Sequence, residues 1–133
     1  MNRAARRILL FAALGLLIAG CSGEETSGPG QAVETFYDRL NAGEYVAAKA
    51  LYTAEMRDML GDPASASDSG FVDWAKTATR DGTIDSVRIT QEQTDEEGGA
   101  TVEYEIVYRD GSTAQHNVTM KLEEGAWRLG LVR

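Results

Sequence analysis

The apolar residues of this chain repeat with a helical period as far as about residue 82 and with a strand period from Thr83 onward. A chain patterned this way folds as helices followed by a sheet. Val33, Phe36, Tyr37 and Leu40 fall at i, i+3, i+4 and i+7, one face of a helix that opens at Pro29 and ends at Asn41-Ala42-Gly43. A second helix is expected from Glu44 to about Tyr52, with Tyr45, Ala48 and Leu51 on one side, and a short third piece from Ala54 to Leu60. Gly61 to Ser67 has the composition of a loop. Asp68 or Ser69 can cap a fourth helix that buries Phe71, Trp74 and Ala75 and stops near Asp81-Gly82.

Four segments then alternate. Val87 and Ile89 form one set, Val102, Tyr104, Ile106 and Tyr108 the next, and Ala114, His116, Val118, Met120 and Leu122 the third. Trp127, Leu129 and Leu131 form the last. Polar residues fill the places between them. Such strands make an antiparallel sheet wet on one face, and the preceding helices must cover the other. The turns set the register. A two-residue loop at Asp110-Gly111 would place Tyr104 opposite Asn117 and put apolar side chains beside polar ones. A three-residue loop, Arg109-Asp110-Gly111 with Gly111 left-handed, pairs Tyr104 with His116 and Val102 with Val118 instead. At Glu123-Glu124-Gly125 the pattern requires an even loop, which aligns Met120 or Leu122 with Trp127.

The amino terminus has a different logic. Met1 to Arg7 is basic and Ile8 to Ala19 is an apolar run of twelve, the n-region and h-region of an export signal. Twelve helical residues rise about 18 Å, against a hydrocarbon core of about 30 Å, so the run is too short for a permanent span. It ends Ile18-Ala19-Gly20-Cys21. Aliphatic, small, small and cysteine resembles the lipobox of bacterial lipoproteins. That resemblance implies cleavage before Cys21 and acylation of its thiol and new amino group. Ser22, a residue other than Asp, resembles the outer-membrane sorting pattern of hosts with two membranes. Residues 22–28, SGEETSG, read as a flexible tether of at most about 25 Å. The expected organisation is a signal over 1–20, a lipidated tether over 21–28 and one domain over 29–133.

Charge and cysteine usage exclude several functions. Thirteen basic and twenty-one acidic residues give −8, and removal of a signal holding Arg3, Arg6 and Arg7 and no acid leaves −11. Neither nucleic acid nor polybasic attachment to anionic lipid fits that balance. One cysteine and one histidine leave no disulfide framework and no multi-histidine metal site. Neither a cofactor motif nor a phosphate loop nor a Ser-His-Asp arrangement is present. Asp95-Glu96-Glu97 reads as a solvated hairpin tip, not a calcium loop.

Pro29, Val33, Phe36-Tyr37, Gly43-Glu44-Tyr45, Ala48, Tyr108-x-Asp110-Gly111 and Gly125-x-Trp127-Arg128-Leu129 follow in order over some 105 residues. This pattern resembles uncharacterised bacterial lipoprotein domains with the nuclear transport factor 2-like fold, an α+β cone. The resemblance implies a pocket between helices and sheet, with Tyr37, Trp74, Tyr104 and His116 as its candidate residues. Enzymes of that superfamily use a Tyr, Asp or His inside the cone for proton transfer, which would make His116 and Tyr104 an acid/base pair with Tyr37 nearby. The other role for His116 is a histidine at the core edge, bonded to a hydroxyl or a carbonyl. The inward faces show no Asp or Glu to accompany it, which favours that second role. The expectation is a non-enzymatic envelope lipoprotein, held to a membrane through Cys21, without a cofactor, that binds an envelope protein or a small apolar ligand. The alternative is a small-substrate enzyme of isomerase or dehydratase type working in the cone.

Overall fold

The computed structural model describes residues 28–60 and 69–133. The expected signal, Cys21, most of the tether, the 61–67 loop and the possible cap Asp68 lie outside the described residues. Four helices, α1 (Pro29–Asn41), α2 (Tyr45–Lys49), α3 (Ala54–Leu60) and α4 (Ser69–Thr79), precede four strands. These are β1 (Ile84–Thr94), β2 (Gly99–Tyr108), β3 (Thr113–Glu123) and β4 (Ala126–Val132), an antiparallel sheet in sequence order. The architecture is the α+β one expected, helices on one face of a curved meander.

The predicted face of α1 is the one buried: Val33, Phe36, Tyr37 and Leu40 are each at most 2% exposed. Gly28 precedes the helix and has no side chain to cap it, so the sheet supplies the cap. Glu92 of β1 accepts a hydrogen bond from the Gly30 N–H at 2.6 Å, a carboxylate at the positive end of the helix. An added Cβ at Gly30 would collide with that carboxylate, so glycine makes the approach possible. At the other end Asn41 acts as a length of strand. Its amide donates to the Ile84 carbonyl (3.2 Å) and its oxygen accepts from the Ile84 N–H (3.0 Å). Asn41→Ala leaves both part-buried groups of Ile84 without those partners. The expected loss is about 1–3 kcal/mol, read as a lower urea midpoint at unchanged slope. A loss near zero would show that water replaces both bonds.

The sheet register matches the parity argument. Tyr104 pairs with His116 and Val102 with Val118. The Tyr108 N–H donates to the Ser112 carbonyl across a three-residue loop, with Gly111 at φ +85°. Between β3 and β4 the loop is the even pair Glu124-Gly125, φ +53° and +79°, which aligns Leu122 with Trp127. Two left-handed residues give this hairpin the twist that strands require.

Two inward expectations are corrected. Leu131 is 53% exposed because β4 carries a bulge: Met120 faces Leu129, but Val118 faces Val132, so Gly130 and Leu131 together oppose Thr119. A Cβ on Gly130 would lie 2.9 Å from the Thr119 carbonyl oxygen. Leu122 is 45% exposed at the hairpin end of β3. One helix is shorter than its apolar pattern suggested. Expected to run from Glu44 to about Tyr52, α2 stops at Lys49. The chain then extends, so that Thr53 N–H donates to Leu129 O and Leu129 N–H donates to Leu51 O, each at 2.9 Å. This segment pairs with the outer edge of β4, an edge otherwise open to stray strand pairing.

After α4 the chain reverses through Arg80, Asp81 and Gly82, all at positive φ. Two non-glycine residues in that region are unfavourable. Contacts offset the cost: the Arg80 guanidinium lies 3.8 Å from the Tyr108 ring centroid, and the Tyr108 hydroxyl donates to the Ala78 carbonyl at 2.8 Å.

Candidate functional site

The four candidate residues do not share one cavity. Tyr37 and Tyr104 meet at the centre, where α1 crosses β2. Their hydroxyls are 2.7 Å apart and their ring centroids 5.4 Å apart. Each is nearly sealed, at 2% and 1% exposure. Burial raises the pKa of both phenols, so both keep their protons at neutral pH. A phenol held protonated cannot serve as a base, and this pair has no opening through which a substrate would enter.

His116 faces Tyr104 across the sheet with ring centroids 5.8 Å apart. The contact is ring against ring, because the Tyr104 hydroxyl is engaged with Tyr37. His116 is partly exposed. Arg133 exchanges both backbone hydrogen bonds with Asn117, and His116 lies just beyond that last pairing. A depression of about 520 Å³ there is bordered by Thr90, Glu103, Gln115, His116, Asn117 and Arg133. Tyr104 also borders it but, at 1% exposure, closes its floor.

Removal of one hydroxyl from the tyrosine pair strands the other in the core. Tyr37→Phe and Tyr104→Phe should each cost about 1–3 kcal/mol, and the double variant less than their sum. Urea unfolding of the four proteins measures this. Strict additivity would mean that the two hydroxyls do not depend on each other.

Trp74 lies elsewhere. It is 38% exposed and packs on Phe71 (5.7 Å) and Phe36 (6.4 Å). It walls a groove of about 410 Å³ between α3, α4 and β4. Tyr52, Met56, Met59, Phe71 and Leu131 share that wall, and among the described residues no charged side chain lines it. On the other side of α3 a second hollow of about 340 Å³ shares Met56, Met59, Gly130 and Leu131. α3 therefore lies along a trough and buries none of its own side chains completely. Met56, Met59 and Leu131 were not among the sequence candidates. The signal for the helix part was there, since Met56, Met59 and Leu60 fall at i, i+3 and i+4. Among the described residues, no three His, Cys, Asp or Glu side chains converge as a metal site.

Helices leading into a four-stranded antiparallel meander define a nuclear transport factor 2-like domain, and solved structures share the fold. A SEC-C motif-containing protein from Rhodopseudomonas palustris superposes with a TM-score of 0.61 at 14% identity, over 82% of this chain and 80% of that one. A protein from Campylobacter jejuni described as an NTF2-like transpeptidase gives 0.58 at 16% identity, over 79% of this chain and 99% of that one. Residues 19–130 match the family model of a domain of unknown function, DUF4878, and the chain belongs to that family. No curated protein matches it significantly.

Proposed function

We propose that this protein is an envelope lipoprotein, anchored through acyl chains on Cys21, whose nuclear transport factor 2-like domain is a non-enzymatic binding module for an apolar ligand or partner. One observation carries the binding reading: the groove beside Trp74 is concave, within the size range of ligand sites and, among the described residues, lined by no charged side chain, in a chain that is 26% charged. Anchoring is supported by the basic flank, the short apolar run and the Ile18-Ala19-Gly20-Cys21 spacing. Two acyl chains already suffice for stable membrane attachment. On this reading residues 1–20 are the removed signal, 22–28 the tether, and the outer membrane is the destination where the host has two.

The isomerase or dehydratase reading has less support. It needs an acid and a base facing one substrate space. The Tyr104 hydroxyl points to Tyr37, and His116 opens onto a separate polar depression.

The test is an intact mass of the protein extracted from membranes of the native host. The expected product starts at Cys21, is heavier than its polypeptide by the acyl groups, and stays in the membrane fraction through washing in detergent-free buffer. A product that retains residues 1–20, or that washes off, overturns the anchoring. Native mass spectra of the same material test the module. Co-release of a small apolar molecule, lost in Met59→Glu, supports it; turnover that depends on His116 overturns it.

A further inference from the structure

We infer that the groove beside Trp74 is a membrane-docking face, seated in the bilayer that holds the anchor and occupied by acyl-chain carbon of its phospholipids. This rests on the anchoring at Cys21 proposed above and names the apolar partner of the groove.

Three observations converge on that occupant. First, three of the five large apolar side chains that stand exposed among the described residues gather here, the others being Val46 and Leu122. Met59 is 68% exposed, Leu131 53% and Trp74 38%, and all three line the same groove. The bulge at Gly130-Leu131 is what turns Leu131 out of the sheet core. Trp, with an apolar body and one N–H, suits a boundary between hydrocarbon and water. Methionines adapt their shape to flexible chains.

Second, most of the charge lies elsewhere: Glu55 and Lys121 border the hollow on the other side of α3, not the groove beside Trp74. Asp95-Glu96-Glu97 occupies the β1–β2 tip, and Glu103 and Glu105 alternate with the inward residues of β2, on the sheet face away from the helices. A surface dense in carboxylates is repelled by anionic lipid. The groove beside Trp74, lined by no charged side chain among the described residues, is the face that can lie against a bilayer.

Third, the tether forces proximity. Glu92, Val102, Val118 and Val132 form one row across the four strands. The start of α1 is pinned to that row through Gly30 and Glu92, and Val132 lines the groove at its far end. Three strand spacings separate the ends, roughly 14 Å. Residues 22–28 extend to at most about 25 Å from Cys21, so the groove is always within reach of the surface that holds the lipid. A weak apolar contact then acts at the high effective concentration that a short linker imposes.

The experiment uses the lipidated full-length mature protein, reconstituted in phosphatidylcholine vesicles whose acyl chains are brominated. Flotation with the vesicles reads the anchor, and bromine quenching of tryptophan reads the docking. Trp127→Phe leaves Trp74 as the reporter, and Trp74→Phe leaves Trp127. Trp74 is expected to lose most of its emission, and Trp127 little. If Trp127→Phe does not fold, the native protein compared with Trp74→Phe isolates the same signal.

Flotation without quenching of Trp74 overturns docking and leaves the anchor standing. Shielding of Trp74 from acrylamide without bromine quenching also overturns it, and assigns the groove to the protein's own Cys21 chain or to another ligand. A protein that neither floats nor carries acyl mass removes the anchor, and the docking with it.

Discussion

Phe36→Ala should cost this domain about 3–5 kcal/mol. Phe36 is fully buried, and its ring meets those of Tyr37 at 5.2 Å, Tyr52 at 5.0 Å and Trp74 at 6.4 Å. It is a residue of α1 that touches both the strand-like segment after α2 and α4, which also meet directly through Tyr52 and Phe71 at 6.1 Å. Truncation removes apolar area and leaves a cavity between the three rings that packed on Phe36. Domains of this size are stable by only about 5–15 kcal/mol, so the loss is a large part of the total. A thermal midpoint lower by about 12 °C or more is expected, since each kcal/mol shifts a domain of about 100 residues by roughly 4–8 °C. Phe36→Leu, which keeps most of the volume, should cost less than about 1.5 kcal/mol. If the alanine variant lost under 1 kcal/mol by thermal or urea unfolding, the ring would not be at the junction of these elements.

Stability should also collapse in alkali. Tyr37, Tyr52 and Tyr104 all have their pKa raised, in each case first by burial. The unfolded chain loses those protons near pH 10, the ordinary phenol value, whereas the folded chain keeps them. Above pH 10 the unfolded state therefore binds fewer protons, and stability falls as pH rises. The contribution is fully present below pH 10 and disappears only as pH passes through the raised folded values. Each tyrosine contributes up to about 1.4 kcal/mol per pH unit, so the three together approach about 4 kcal/mol per unit. Urea midpoints between pH 9 and 12, with tyrosinate absorbance at 295 nm, measure it. The share of absorbance due to Tyr37, Tyr52 and Tyr104, read as the difference from their Phe variants, should rise together with unfolding, not before it. Tyrosinate from these three at pH 10 to 11 in a still-folded protein would mean that their phenols reach water. Tyr52→Phe should flatten the slope by one part in three.

How much of this was legible beforehand depended on range along the chain. The α3 boundaries, Ala54 to Leu60, and the start of α1 at Pro29 were local matters of period and proline, and they agree with the structure. Register was legible because a strand has a period of two. A loop of the wrong parity would turn Tyr104 and Val118 to the wet side, which apolar burial forbids. His116 was correctly paired with Tyr104 on that ground. The hydroxyl partnership of Tyr37 and Tyr104, 67 residues apart, was not legible. Nothing in either segment states which of five tyrosines would meet.

The sequence by itself determined an α+β chain, its strand register and the faces that α1 and the strands bury, because those follow from spacings between near neighbours. Only the tertiary structure decided that Tyr37 and Tyr104 satisfy each other, that His116 stands beyond the end of β4, and that Leu131 and Trp74 open a groove beside α3. Each of those outcomes depends on where separate elements come to rest against one another. A bulge or the length of a strand changes them without altering the pattern of any one segment.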